Sequence, residues 1–429
     1  MSQSRVTTWL LAACVALFVF LALPWHGAAA RTQAKSDDGQ ASAQDKSDGT
    51  PLALDASVAS PASAAQPLLG AMVYDTSLRR YVASVGHGRA VLSISPRLQQ
   101  GLEKLLAAQR VPVGAVVLIE PRTGRVRALA EHVEKGPKSH VALQAIAPAA
   151  SIFKIVTTAA LLERGIAPDS EVCFHGGRHG IQKALLADNP LRDHRCLTLA
   201  SALGKSANVV FAKLAGRDLS AELLRVEADR FLFNATIPFA WPVEPSPAPI
   251  PDDPFELAKT AAGFGSVRLS PLHGALMAAT VANGGVLVPP RVVDEVDGVA
   301  APPPGEARTV IRPEVAAALA RMLRTTVTEG TARKVFRRDR LARGSPLREV
   351  TVAGKTGSLF ERDPFRDSSW FVGFAPVDDP QIAVAAVAVN DRVWRVKAPF
   401  LAREALKAFF AEDASSRGSS WQGLRAAAR

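Results

Sequence analysis

Pro148-Ala149-Ala150-Ser151-Ile152-Phe153-Lys154 sets a hydroxyl and an amine three residues apart, at the head of the apolar stretch Ile152 to Leu162. That stretch has helical content and stops at Gly165, a residue suited to the left-handed conformation that ends a helix. On a helix beginning near Ser151, positions i and i+3 share a face, so the Lys154 ammonium lies beside the Ser151 hydroxyl. A serine alcohol is a weak nucleophile at neutral pH and needs a base. A lysine kept neutral by burial and neighbouring cations can be that base, and the positive end of the helix dipole favours negative charge at Ser151. Taken alone, the pattern reads more simply as a capping serine and a surface lysine.

Two further patterns follow in order. Ser206-Ala207-Asn208 stands after Gly204-Lys205, between two helical stretches. Its hydroxyl and carboxamide can both point into one cleft, the first to relay a proton and the second to hold a substrate amide. Lys355-Thr356-Gly357-Ser358 lies inside the strand-like run Thr351 to Phe360. Gly357 there marks close approach of another backbone or a ligand. Lys355 and Thr356 offer a cation and a hydroxyl to a carboxylate, and the Ser358 amide can donate to an oxyanion. Singly, these two read as a helix-linking turn and an edge-strand bulge. Their occurrence in this order, with the serine at a helix start and the lysine on a strand, carries more weight than any one of them.

Around them the chain reads as strands near both ends with helices between. Val91 to Ile94 alternates like a strand. Ser95 and Pro96 open a helix whose apolar face is Leu98, Leu102, Leu105 and Leu106. Gly114 to Ile119 and Arg125 to Ala130 flank Pro121-Arg122-Thr123-Gly124 as a hairpin. Helices are expected over Leu197 to Leu203, Val209 to Leu214, Leu272 to Ala282 and Arg312 to Val327. Strands return at Trp370 to Phe374 and Ile382 to Val389, and a last helix runs from about Pro399 to Ala411. The pattern implies one mainly antiparallel sheet closed by N- and C-terminal segments around a helical insert.

The ordered S-x-x-K, S-x-N and K-T-G patterns resemble the transpeptidase domain of penicillin-binding proteins, with Ala207 where that family's middle pattern often has Asp. The resemblance extends from about Val91 to Ala411. It includes Gly114-Ala115-Val116-Val117 through Thr123-Gly124-Arg125-Val126, Gly263-Phe264-Gly265, Ser270-Pro271-Leu272 and Ala282-Asn283-Gly284-Gly285. Gly330-Thr331-Ala332 and Trp370 through Pro376 belong to it as well. It implies mixed α and β structure: a five-stranded antiparallel sheet flanked by helices, with an all-helical subdomain. The implied reaction is peptidoglycan D,D-transpeptidation through a serine acyl-enzyme, inhibited covalently by β-lactams. Ser151 is then the nucleophile, Lys154 the base and Ser206 the proton relay. Asn208, Lys355, Thr356 and Gly357 bind substrate, and the backbone N–H groups of Ser151 and Ser358 form the oxyanion hole. Stem peptides and β-lactams are the implied partners, with other wall-synthesis proteins in attendance, and no metal or other cofactor is implied. A D,D-carboxypeptidase, a serine β-lactamase and a non-enzymatic penicillin sensor share these residues.

The 429 residues include 51 Lys and Arg against 40 Asp and Glu, a net +11, with 48% hydrophobic residues and only 3 cysteines. That apolar share excludes a mainly disordered chain, and three cysteines exclude a disulfide-dense scaffold. Val6 to Leu23 is nearly continuously apolar and, at about 27 Å as a helix, just long enough to cross a bilayer. It reads as a membrane anchor, a signal peptide cleaved after Ala28-Ala29-Ala30, or a lipoprotein signal ending at Cys14; each puts the body in the bacterial cell envelope, at the inner membrane or in the periplasm. The expected division is 1–30 anchor or signal, 31–67 flexible linker, 68–110 a short lead-in, 111–412 the transpeptidase domain and 413–429 a disordered tail. The lead-in is short for the pedestal usual in class B penicillin-binding proteins. In an oxidising compartment Cys173 and Cys196 read as a disulfide. The alternative is a zinc site of Cys173, His175, His179, His194 and Cys196, whose spacing fits no standard zinc pattern. The basic run Arg333 to Arg340 reads as a solvated surface loop, compatible with an anionic envelope and not with nucleic acid.

Overall fold

The computed structural model describes residues 69–136 and 140–427, with side chains to 413. The expected anchor and linker lie outside the described residues. Among those described, no helix is long and apolar enough to cross a membrane.

The chain opens with three short antiparallel strands, β1 (Val73–Asp75), β2 (Arg80–Val85) and β3 (Gly88–Leu92). Helix α1 (Pro96–Ala108) follows, and the Ser95 hydroxyl accepts from the Leu98 N–H as its N-cap, with Pro96 in the first turn. The hairpin β4 (Val113–Ile119) and β5 (Val126–Val133) comes next, then β6 (Ala147–Pro148), a single 3₁₀ turn over Ala150–Ile152 and α2 (Lys154–Glu163). Strands β7 (Glu171–Phe174) and β8 (Arg195–Thr198) pair with Cys173 opposite Cys196, and the two sulfurs are bonded. Leu197 therefore sits in a strand, not in the helix expected from Leu197. The cystine fixes the β register, and helix α3 (Leu199–Lys205) starts only after Thr198, which caps it.

Helices α4 (Asn208–Asp218), α5 (Ala221–Arg230) and α6 (Pro254–Ala261) extend the helical insert. Then come β9 (Arg268–Leu269), α7 (Pro271–Ala282), β10 (Val286–Leu287), β11 (Val293–Val296), β12 (Val299–Ala300), β13 (Arg308–Thr309), α8 (Pro313–Thr328) and α9 (Arg333–Leu341). The long strands β14 (Ala353–Arg362), β15 (Phe365–Ala375) and β16 (Ile382–Asn390) precede α10 (Ala398–Ala427), which continues well past Ala411.

The main sheet has the order β14-β15-β16-β4-β5, all antiparallel, so the N-terminal hairpin is welded to the C-terminal strands through β4 and β16. Every residue of β16 is buried, and Ile382-Ala383-Val384-Ala385-Ala386-Val387-Ala388-Val389 accordingly reads as an unbroken apolar run. A strand covered on both faces has no polar side to alternate with. On one face Val117, Trp370, Val372 and Val387 join a core with α2 and α7. On the other, Val116, Phe371, Val384 and Ala386 pack with Leu98, Leu102 and Leu106 of α1 and Leu401 and Leu406 of α10. The sheet flanked by helices and the helical insert match the expected class; the strand order was not legible beforehand.

Two further features depart from expectation. The basic run is helix α9, not a loop. Phe336 stacks 5.4 Å from Phe371, and Asp339 is buried, accepting from Ser345 Oγ at 2.8 Å, while Arg333, Arg337 and Arg340 stay exposed. Phe336 and Asp339, three residues apart, form the face that this helix turns inward. The stretch before α1 supplies three strands of a second, five-stranded sheet, ordered β1-β2-β3-β11-β12, whose other two come from beyond α7.

Candidate active site

Ser151 lies in the 3₁₀ turn ahead of α2, so it precedes the α-helix and does not cap it. Ala150 holds φ +49°, rare for a residue with a Cβ, and the turn is fixed from three sides. The Ala149 N–H donates to Val267 at 2.9 Å, the Trp370 indole N–H donates to Pro148 at 2.9 Å, and the Thr157 hydroxyl donates to Ala261 at 2.8 Å. Two glycines let the turn fit. A Cβ on Gly263, which also holds φ +88°, would lie 2.4 Å from the Ala150 carbonyl oxygen, and one on Gly357 3.2 Å from that of Ala149. The strand carrying the third motif thus runs directly against the turn carrying the first.

The three motifs meet in one hydrogen-bonded chain. Lys154 Nζ is 3.0 Å from Ser151 Oγ, 2.8 Å from Asn208 Oδ1 and in contact with the Ala262 carbonyl. Ser206 Oγ lies 3.0 Å from Ser151 Oγ, and Lys355 Nζ is 3.0 Å from Ser206 Oγ and 2.8 Å from the Thr356 carbonyl. Ser206 reaches this place because it ends α3 in the left-handed conformation, at φ +52°. Asn208 opens α4 two residues later. Its Nδ2 donates to the His179 carbonyl at 2.8 Å, and since a carbonyl only accepts, that bond turns Oδ1 towards Lys154.

Donor counting gives the protonation state that suits this geometry. The Ala262 carbonyl and Asn208 Oδ1 each need an N–H from Lys154. A neutral amine has two N–H groups and one lone pair, which is left facing Ser151 Oγ. Both lysines are fully buried. Burial, then the charge of Lys355, drives the Lys154 pKa well below the ordinary lysine value, and burial brings Lys355 down to about 7. The ring of Phe211 lies 5.3 Å from Lys154 Nζ and helps keep water from it.

All the expected side chains, Ser151, Lys154, Ser206, Asn208, Lys355 and Thr356, fall on this one cleft, together with Gly357 and Ser358 of the adjoining edge strand. The zinc alternative is overturned. Cys173 and Cys196 are joined, His175 Nδ1 pairs with Asp193 at 2.5 Å, and His179 is bound to the second motif through its carbonyl. Sequence reasoning assigned no role to the Ala262 and His179 carbonyls or to Thr331, whose Oγ1 is 2.6 Å from Thr356 Oγ1. The glycine-bearing segments Gly263-Phe264-Gly265 and Gly330-Thr331-Ala332 were the available signal.

The sequence pattern of the penicillin binding protein transpeptidase domain matches residues 114–405. Peptidoglycan D,D-transpeptidase PbpA of Mycolicibacterium smegmatis is 28% identical over 64% of this chain and 61% of its own length. The protein of the same name from Mycobacterium tuberculosis is 28% identical over 71% of this chain and 67% of its own. The chain thus spans roughly three fifths to two thirds of these relatives. The crystal structure of the Mycobacterium tuberculosis PBPA superposes with a TM-score of 0.60 at 26% identity, covering 75% of this chain and 80% of that one. The imipenem acyl-enzyme complex of penicillin-binding protein A from that organism gives 0.60 at 25%, over 75% and 79%. With the fold, the three motifs and their meeting in one cleft, the match over residues 114–405 places the chain in the penicillin-binding protein transpeptidase domain family.

Proposed function

We propose that the protein is a peptidoglycan D,D-transpeptidase acting through a Ser151 acyl-enzyme. The observation that carries this is the chain Lys154–Ser151–Ser206–Lys355, in which the Nζ of a buried lysine lies 3.0 Å from the serine hydroxyl. Ser151 Oγ attacks the carbonyl carbon of the penultimate D-Ala, and its proton passes to Lys154 Nζ. The oxyanion is held by the Ser151 and Ser358 N–H groups. The C–N bond breaks, Ser206 gives its proton to the departing D-Ala amine, and the proton stored on Lys154 replenishes Ser206. The Asn208 carboxamide, already fixed by Lys154 and His179, borders the substrate amide. Lys355 and Thr356 hold the terminal carboxylate. An amine from a neighbouring stem peptide then displaces Ser151, releasing the cross-linked product. A β-lactam opens on Ser151 in the same way but has no separate leaving group to depart. The Cys173–Cys196 disulfide supports an oxidising compartment, and with the apolar run Val6 to Leu23 it supports a place in the cell envelope, anchored or secreted.

A fluorescent penicillin is expected to label the full chain, and Ser151→Ala to abolish labelling; an unlabelled wild type overturns the reading. With a donor stem peptide, mass spectrometry is expected to find cross-linked product when an amine acceptor is present. Trimmed peptide alone would make the protein a carboxypeptidase, hydrolysed penicillin a β-lactamase, and labelling without peptide turnover a sensor.

A further inference from the structure

Thr331 lies outside the three motifs, yet it touches the third and the residues just ahead of the second. Its N–H donates to the Gly204 carbonyl at 3.1 Å, two residues before Ser206, and its Oγ1 is 2.6 Å from that of Thr356 on β14. The turn carrying it is held tightly. The Gly330 N–H donates to Thr325 at 2.8 Å and the Ala332 N–H to Thr326 at 3.0 Å. A Cβ on Gly330 would lie 2.0 Å from the Gly204 carbonyl oxygen, so the turn can sit against α3 only with glycine there. The Thr331 hydroxyl is thereby delivered, exposed, onto the Thr356 hydroxyl.

Two hydroxyls 2.6 Å apart share one hydrogen bond, and either oxygen can be its donor. If Thr356 donated, its oxygen would turn lone pairs towards an incoming anion. If Thr331 donates, the Thr356 proton is free to point outward. A carboxylate is an acceptor only and selects the second arrangement, and the chain hydroxyl to hydroxyl to carboxylate strengthens each link. Lys355 cannot aim that hydroxyl in place of Thr331, since its Nζ meets Ser206 Oγ and the backbone carbonyl of Thr356, not the Thr356 side chain.

We propose that Thr331 is a positioning residue for carboxylate recognition: it donates to Thr356 and so aims the Thr356 hydroxyl at the substrate's terminal carboxylate. This rests on the acyl-transfer reading above. The test is the rate at which the full chain is acylated by a penicillin as the free acid and as its methyl ester, each measured by competition with fluorescent penicillin. Thr331→Val, nearly isosteric, is expected to lower the acid-over-ester preference about five-fold, the worth of one polarising hydrogen bond to an anion, and Thr331→Ser to restore it. Thr356→Val is expected to lose at least as much of the preference by itself, with no further loss on adding Thr331→Val.

An unchanged preference in Thr331→Val overturns the assignment. Equal slowing of acid and ester also overturns it, because that marks a residue needed only for the shape of the cleft. So does a Thr331→Ser variant whose preference falls about five-fold below that of the wild type, a measurement that stands even where valine fails to fold. A wild type acylated by neither compound overturns the acyl-transfer reading itself, and this assignment with it.

Discussion

Two lysines that share one line of hydroxyls in a water-poor cleft cannot both hold a proton at the ordinary lysine pKa. Lys154, depressed by burial and by the charge opposite, is placed to be neutral; Lys355, lowered to about 7 by burial, changes charge in the physiological range. Acylation by a free-acid penicillin is therefore expected to fall on the alkaline side with a pKa near 7, because the rate at low ligand concentration reports groups on the free enzyme. The methyl ester should lack that alkaline limb. A free-acid profile flat from pH 6 to 9 would remove Lys355 from carboxylate binding. Folding stability carries the same signature. Between about 7 and 10.5 the unfolded chain holds the Lys355 proton that the folded chain has lost, so stability rises with pH across that window. Below 7 both states hold it, and the cost of burying the charge is present in full. Relative to Lys355→Met, the wild type is expected to gain about 2 kcal/mol between pH 7 and 9, measurable by urea unfolding. Parallel curves for the two proteins would contradict it.

At the scale of elements, the cleft depends on how closely backbones approach. Gly165 and Gly263 both hold positive φ, yet a Cβ on Gly165 would meet nothing within 4 Å, whereas one on Gly263 would strike the Ala150 carbonyl and the Ser151 Cα. Gly165→Ala is expected to cost about 1 kcal/mol with acylation unchanged. Gly263→Ala is expected to cost more, roughly 1–3 kcal/mol from strain, and to slow acylation by displacing the serine turn. Thermal unfolding with penicillin labelling separates the two, and equal labelling rates would show that the turn tolerates the shift. These contacts also mark where the sequence could be read and where it could not. Ser95-Pro96 and the leucines behind it announced α1, and the apolar runs announced the β4–β5 hairpin and the strands β15 and β16, because a cap and a periodicity are local. The positions of Ser151, Lys154, Ser206 and Lys355 were legible because chemistry restricts their residue types. The acceptors at Ala262 and His179 were not, since any residue supplies a carbonyl and only tertiary approach selects which one. The helix α9 was hidden for the opposite reason: its charge outweighed Phe336, the one hydrophobic side chain that it fully buries.

Across the molecule, the Cys173–Cys196 bond closes a segment that reaches back to the site, for His179 lies within it and holds Asn208. Closing a loop of sequence separation 23 is worth up to about 3 kcal/mol. Opening it with reductant is expected to slow acylation while the main sheet, which the segment does not enter, keeps its circular dichroism; an unchanged rate would show that the loop holds its shape without the bond. The second sheet bears on a different matter, how to cut the chain. The matched region begins at 114, after β3 and after α1. A fragment starting there would leave β11 without β3 and uncover the face that Leu98, Leu102 and Leu106 seal. Ending at 405 would also remove Leu406, Phe409 and Phe410. Such a fragment is expected to run as aggregate on gel filtration, where one from 69 to 413 runs as a discrete species. The stretch that the family pattern matches is shorter than the stretch whose side chains pack into the two sheets and their helices.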